Sequence, residues 1–248
     1  MGSDQTHSED SSGINQRLPR IQRQPFQKAM GAMEETRGSI YLLWDDHDGT
    51  GGGNRILEGL PWKGRVLTMK DWNRDLSPWP APGVFRGEED FSGGGPAFLE
   101  KILDSIRKAP DYQESEPRIL CGYSLAGLFA LWAGTCTNLF SGIACMSGSL
   151  WYDHWTDYLR IHPCRARSVV LSLGDREIRT RNPRMITLGK DTEEVQRILD
   201  NQGVTCRFRW ERGNHFQDAE GRVRRGLQEV LEMEKRRITG EVFPESTG

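Results

Sequence analysis

The sequence predicts an α/β fold in which a mostly parallel central sheet is covered by helices on both faces. Apolar runs of strand length recur along the chain, and helical patterns fill most of the gaps between them. That alternation of strand, helix and strand is the pattern that builds parallel sheets. The 248 residues, 36% hydrophobic and 27% charged, also suffice to bury one sizeable core. One domain is expected over residues 26–248, behind a polar segment, 1–25, whose composition predicts disorder.

In chain order, the expected strands are SIYLLW (39–44), RVLTM (65–69), RILCGY (118–123), SGIACM (141–146), SVVLSL (168–173) and TCRFRW (205–210). Between them, PAFLEKILDSIRK sets Phe98, Ile102, Leu103 and Ile106 on one helical face, and LAGLFALWAG follows RILCGY as an apolar helix. DTEEVQRILDNQG opens with acids and closes with glycine, as helices tend to, and DAEGRVRRGLQEVLEMEKRR reads as a long amphipathic C-terminal helix. The glycine-rich DDHDGTGGGN (45–54) lacks the lysine and Ser/Thr of a phosphate-binding loop and fits no dinucleotide pattern, so it reads as a flexible loop. Its acids, Asp45, Asp46 and Asp48, have no separated partner to complete a metal shell.

A formal net charge of −2 with mixed signs implies no broad surface for nucleic acid or an anionic membrane. INQRLPRIQRQPFQK, the most basic stretch, is short and has Phe26 as its one aromatic. The first ten residues lack the basic start and apolar stretch of a secretion signal, and no run approaches the ~20 apolar residues of a membrane span, which predicts a cytoplasmic protein. Five cysteines, at 121, 136, 145, 164 and 206, show no CxxC spacing and suggest buried thiols rather than disulfides or zinc.

Ser124 stands where the strand RILCGY must turn into the helix LAGLFALWAG. A sharp strand-to-helix turn needs small neighbours, and Gly122, Ala126 and Gly127 supply them in the pattern G-x-S-x-A-G. This is one methyl away from the G-x-S-x-G turn that exposes a nucleophilic serine and sets the next backbone N–H, here of Leu125, at a developing oxyanion. Serine is also a common helix N-cap, so the motif alone leaves both readings open. A nucleophilic serine requires a base, and His215 follows the strand TCRFRW in a Gly-Asn-His turn just before the last helix. His7, His47, His154 and His162 fit less well: one lies in the polar tail, one precedes the serine, and two flank a short helix. The orienting carboxylate should end the strand between serine and histidine, where SVVLSLGDRE offers Asp175 and Glu177. Asp175 is the usual residue type and lies closer to the strand. Glu177 falls three residues after the strand-ending glycine, as the acid does in many hydrolases of this architecture, and is favoured.

The stretches GYSLAGLFALWA, MSGSLWYDHW, LSLGDREIRTRNP and GNHFQDAEGRVRRGL resemble a bacterial branch of esterases in the α/β-hydrolase superfamily, related to the enterobactin (siderophore) esterases. The resemblance covers most of the chain from about residue 38. It implies an α/β-hydrolase fold, Ser124 as nucleophile, His215 as general base and the GDRE segment as the source of the acid, although some siderophore esterases work with a Ser-His dyad. Ala126 departs from the family's usual glycine and is small enough to serve. The resemblance also implies that Asp71 to Pro78 forms the loop supplying a second oxyanion N–H, from Trp72 or Asn73. Trp79 and Trp151 are candidate walls of the acyl or alcohol pocket.

The expected activity is hydrolysis of a small-molecule carboxylic ester through an acyl-enzyme, with no cofactor required. An acyltransferase using the same residues and a non-catalytic binding protein that kept the fold are the rival readings.

Overall fold

The structure is a computed structural model that describes residues 37–46, 49–84 and 87–240. The expectations placed on the polar segment 1–25, on His7, and on His47 and Asp48 lie outside the described residues.

Six strands form one wholly parallel sheet: β1 (Ser39–Leu43), β2 (Lys63–Leu67), β5 (Arg118–Tyr123), β6 (Gly142–Met146), β7 (Ser168–Gly174) and β8 (Thr205–Glu211), in the order β2-β1-β5-β6-β7-β8. The four inner strands are buried at every position, which is why they read as unbroken apolar runs. The edge strands β2 and β8 are partly exposed and more polar. A two-stranded antiparallel ribbon, β3 (Pro80–Ala81) with β4 (Phe91–Ser92), is too short to leave a sequence pattern.

Helices cover both faces. On one side α3 (Gly95–Arg107), α4 (Leu125–Cys136), α5 (Trp155–Ile161) and α6 (Leu188–Asn201) pack with Leu43, Leu120, Cys145 and Leu171 of the strands. On the other, α1 (Gly52–Leu57) and α7 (Ala219–Thr239) pack with the alternate residues Ile40, Leu42, Ile119 and Met146. The split follows from the period of two along each strand. α4 is buried along nearly its whole length, so its apolar character runs all round rather than down one stripe.

Three readings are corrected here. β2 begins two residues earlier than the apolar run suggested, because its pairing with β1 in the register Ser39↔Lys63 to Leu43↔Leu67 sets its ends. The glycines of DDHDGTGGGN are not all loop: α1 starts at Gly52, and a Cβ on Gly53 would lie 2.8 Å from Val66 Cγ2. Those glycines let a helix lie close on β2, a need that resembles looseness when read along the chain. On α3, Leu99 rather than Phe98 completes the buried face with Ile102, Leu103 and Ile106. Cys121, Cys145 and Cys164 are buried thiols, Cys206 is half-buried and Cys136 is exposed. No helix among the described residues is long and apolar enough to cross a membrane.

Candidate active site

All six strands point the same way, so their C-terminal ends and the loops that follow them share one edge of the sheet, where α/β sheets bind their ligands. Ser124 stands at that edge between β5 and α4 with φ 57° and ψ −124°, a positive-φ conformation that costs a non-glycine residue strain. Its backbone is held on both sides: the N–H donates to Met146 O at 3.0 Å, and the carbonyl accepts from Ser149 N at 3.1 Å. Gly122 is required here, because a Cβ on it would lie 2.3 Å from Ala126 O. The turn therefore lifts the serine hydroxyl clear of the sheet.

His215 follows β8, and its Nε2 lies 3.0 Å from Ser124 Oγ. Its Nδ1 lies 2.7 Å from Glu177 Oε2. The carboxylate can only accept when ionised, so Nδ1 carries the proton and Nε2 is left to accept from the serine. Glu177 is nearly enclosed, and its other oxygen accepts from Gly174 N at 2.8 Å, Ser147 Oγ at 2.8 Å and Arg222 Nη1 at 2.7 Å. Burial by itself would raise this carboxyl, but the donors, His215 foremost, hold it below its ordinary value.

Asp175 does not face the histidine. It is exposed, and its Oδ1 accepts from Gly213 N at 2.8 Å, holding the loop in which His215 sits two residues further on. The turn after Gly174 sends residue 175 outward and residue 177 inward, so of the two acids only Glu177 meets the imidazole.

A cleft of about 520 Å³ opens over Ser124. Trp72, Asn73 and Leu125 line it, as does Trp151, whose ring lies under the Arg184 guanidinium at 5.3 Å. Leu125 opens α4, and Trp72 and Asn73 open the short helix α2 (Trp72–Asp75). The N-cap Asp71 takes the Arg74 N–H at 2.9 Å, while the first amides of a helix have no intrahelical acceptor and can serve an anion. Trp79 is not part of the wall. Its indole N–H donates to Asp153 O at 3.0 Å and its ring packs among Tyr152, Trp155 and Tyr158, so it supports the Trp151 segment from behind. Phe91, Met185, Leu188 and the 90% exposed Phe216 add apolar surface to the cleft.

His154 is an exposed residue in left-handed conformation before α5, and His162 stacks on Tyr158 with ring centroids 4.0 Å apart. Neither reaches the cleft. Among the described residues no group of three or more His, Cys, Asp or Glu side chains is placed to hold a metal ion. Sequence reasoning missed Tyr123, Ser147 and Arg222. Tyr123 OH donates to His215 O at 2.6 Å and Arg222 Nη2 to Asn214 O at 2.9 Å, so both brace the histidine loop. Arg222 shares the segment RVRR with two other arginines, and nothing in that pattern marks it as the buried one.

No family model and no curated protein sequence matches the chain. Solved structures do. The siderophore hydrolase EstB from Aspergillus nidulans aligns with a TM-score of 0.61 at 18% identity, over 80% of this chain and 84% of that one. The siderophore hydrolase EstA from the same organism aligns at 0.55 and 19%, over 82% and 84%. The enterobactin esterase FES from Shigella flexneri aligns at 0.57 and 16%, over 81% of this chain and 54% of that one. The fold is that of the α/β-hydrolases, as the sequence motifs implied.

Proposed function

We propose that the chain is a serine hydrolase that cleaves a small-molecule carboxylic ester through an acyl-enzyme. The observation that carries this reading is the unbroken hydrogen-bonded chain from Ser124 Oγ through His215 to Glu177, with the serine raised on a strained turn. His215 takes the serine proton as Oγ attacks the ester carbonyl, and Glu177 holds the reactive tautomer and stabilises the imidazolium. The oxyanion is met by the Leu125 N–H and by an N–H of Trp72 or Asn73, each at the start of a helix in the cleft wall. The imidazolium returns its proton to the leaving alcohol. Water, activated by the same histidine, then releases the acid.

The names of the structural neighbours support the same chemistry, since two are siderophore hydrolases and one an enterobactin esterase. The apolar and aromatic cleft suits an ester with an acyl or alcohol part that buries hydrocarbon. The test is labelling with a fluorophosphonate probe, located by peptide mass spectrometry, together with a panel of esters of increasing acyl length. Labelling at Ser124 with hydrolysis of at least one ester supports the proposal. Failure of the folded protein to react with the probe overturns it.

A further inference from the structure

Arg222 lies in the first turn of α7, where the helix's own field disfavours a cation, and its side chain is wholly buried. Such a placement needs strong local compensation. Its Nη1 donates to Glu177 Oε1 at 2.7 Å, to Ser147 Oγ at 3.0 Å and to Tyr123 OH at 3.2 Å. Its Nη2 donates to the carbonyls of Asn214 at 2.9 Å and Arg212 at 3.2 Å. These partners come from four separate segments: the residue before Ser124, the turn after β6 that carries Ser147, the acid facing His215, and the loop carrying His215. Nη1 shares its two protons among three acceptors, and each hydroxyl has one acceptor for its single proton. Ser147 accepts from Arg222 and donates to Glu177, while Tyr123 accepts from Arg222 and donates to His215 O.

We propose that Arg222 is a positioning residue for this site: one guanidinium holds the acid and the histidine loop in register behind Ser124, and its charge offsets that of Glu177 so that His215 stays free to accept the serine proton. The role rests on the ester-hydrolase reading above. It touches no reacting atom. Because Arg222, Ser147 and Gly174 saturate Oε1, Oε2 alone is turned to the imidazole. Glu177 and His215 are joined by a 2.7 Å hydrogen bond, so a charge behind the carboxylate acts on the two groups together. Without the guanidinium, a buried carboxylate loses its compensating charge, so the singly protonated pair gains on the unprotonated one whichever atom holds the proton. The pH at which the base becomes free then rises. The other ionisable groups around the pair are Tyr123 on β5, Asp175, Arg176 and Arg179 in the turn after β7, and Glu88 in the cleft wall, all unaltered in the variants below.

The test compares Arg222→Met and Arg222→Lys with the wild-type protein, each checked for folding by circular dichroism, in kcat and KM against pH. Arg222→Met should lower kcat at neutral pH by about 100-fold with little change in KM. Its acid limb should move up by about one pH unit. Arg222→Lys keeps the charge but not the planar fork, so its acid limb should stay near wild type while kcat falls. A residue that only held the fold together would lower stability and leave the pH profile in place. A folded Met variant with wild-type kcat and acid limb overturns the proposal, as does a loss carried by KM alone. If the Met variant does not fold, a Lys variant with wild-type kcat overturns it. The NMR titration of the His215 ring should show the same upward shift without any turnover. A wild-type protein inactive on every ester therefore refutes the activity, while the titration still decides the role of Arg222.

Discussion

The floor of the cleft and its wall are built differently. Ser124, Glu177 and His215 rise from the ends of β5, β7 and β8, and every one of them is tied to backbone or to buried side chains. The wall residues Trp72, Trp151, Met185 and Phe216 stand on connecting segments, half-buried or exposed, and meet the cleft with side-chain surface. Chemistry needs placement to within fractions of an ångström, which strand ends tied by such hydrogen bonds supply. Substrate choice needs only shape, which loops can vary at little cost to the fold. Changes to the floor should therefore act on rate, and changes to the wall on selectivity.

The largest effect expected is on the floor: Ser124→Ala should lower ester hydrolysis by roughly 10⁴-fold or more and abolish probe labelling, with melting temperature nearly unchanged. Activity within tenfold of wild type would show that the floor does not hold the nucleophile. Next, Glu177→Gln should cost on the order of 10³- to 10⁴-fold, since the amide can hold the wrong imidazole tautomer and leaves the imidazolium uncompensated. Asp175→Asn should cost far less, because it bonds the Gly213 amide and not the ring. Equal losses in the two variants would erase the distinction between them.

The wall should answer more softly. Trp151→Ala should change relative kcat/KM among esters of different acyl length by about tenfold, with its main effect in KM. Trp79→Ala, behind the wall, should show instead as lost stability of about 2 to 4 kcal/mol in denaturant unfolding, because it empties an aromatic cluster. If Trp79→Ala alters selectivity as much as Trp151→Ala does, wall and support are not separate.

The smallest effect is on stability against pH. Glu177 and Glu234 are both held below the ordinary value of 4.5, after burial that would raise them, by His215 and by Arg237 respectively. A carboxyl lowered in the folded state binds its proton more readily when unfolded, so its contribution is fully present above about 4.5 and is lost as pH falls through the lowered value. The melting temperature should fall on acidification through that range, and Glu234→Gln should flatten the fall without altering activity at neutral pH.

Much of the floor is legible in the order of residues alone. The buried strands appear as apolar runs because both their faces meet helices, and the serine turn appears as small residues at fixed spacing because backbone crowds there. His215 can be found by chain order. What does not show is direction. Asp175 and Glu177 are two residues apart in one turn, and their spacing favours Glu177 without deciding between them; the backbone path after Gly174 decides which carboxylate turns in. Trp79 and Trp151 share a residue type, and packing alone sends one ring to the cleft and the other behind it.

The sequence by itself determined the order of the six sheet strands and the longer helices, the place of the turn at Ser124 and the candidates for its partners, because periodicity and steric need act over a few neighbouring residues. Tertiary structure alone decided which carboxylate meets His215, the site of each tryptophan and the burial of Arg222. Those depend on which distant segments meet, and an arginine within RVRR carries no mark of the carboxylate it will face 45 residues away.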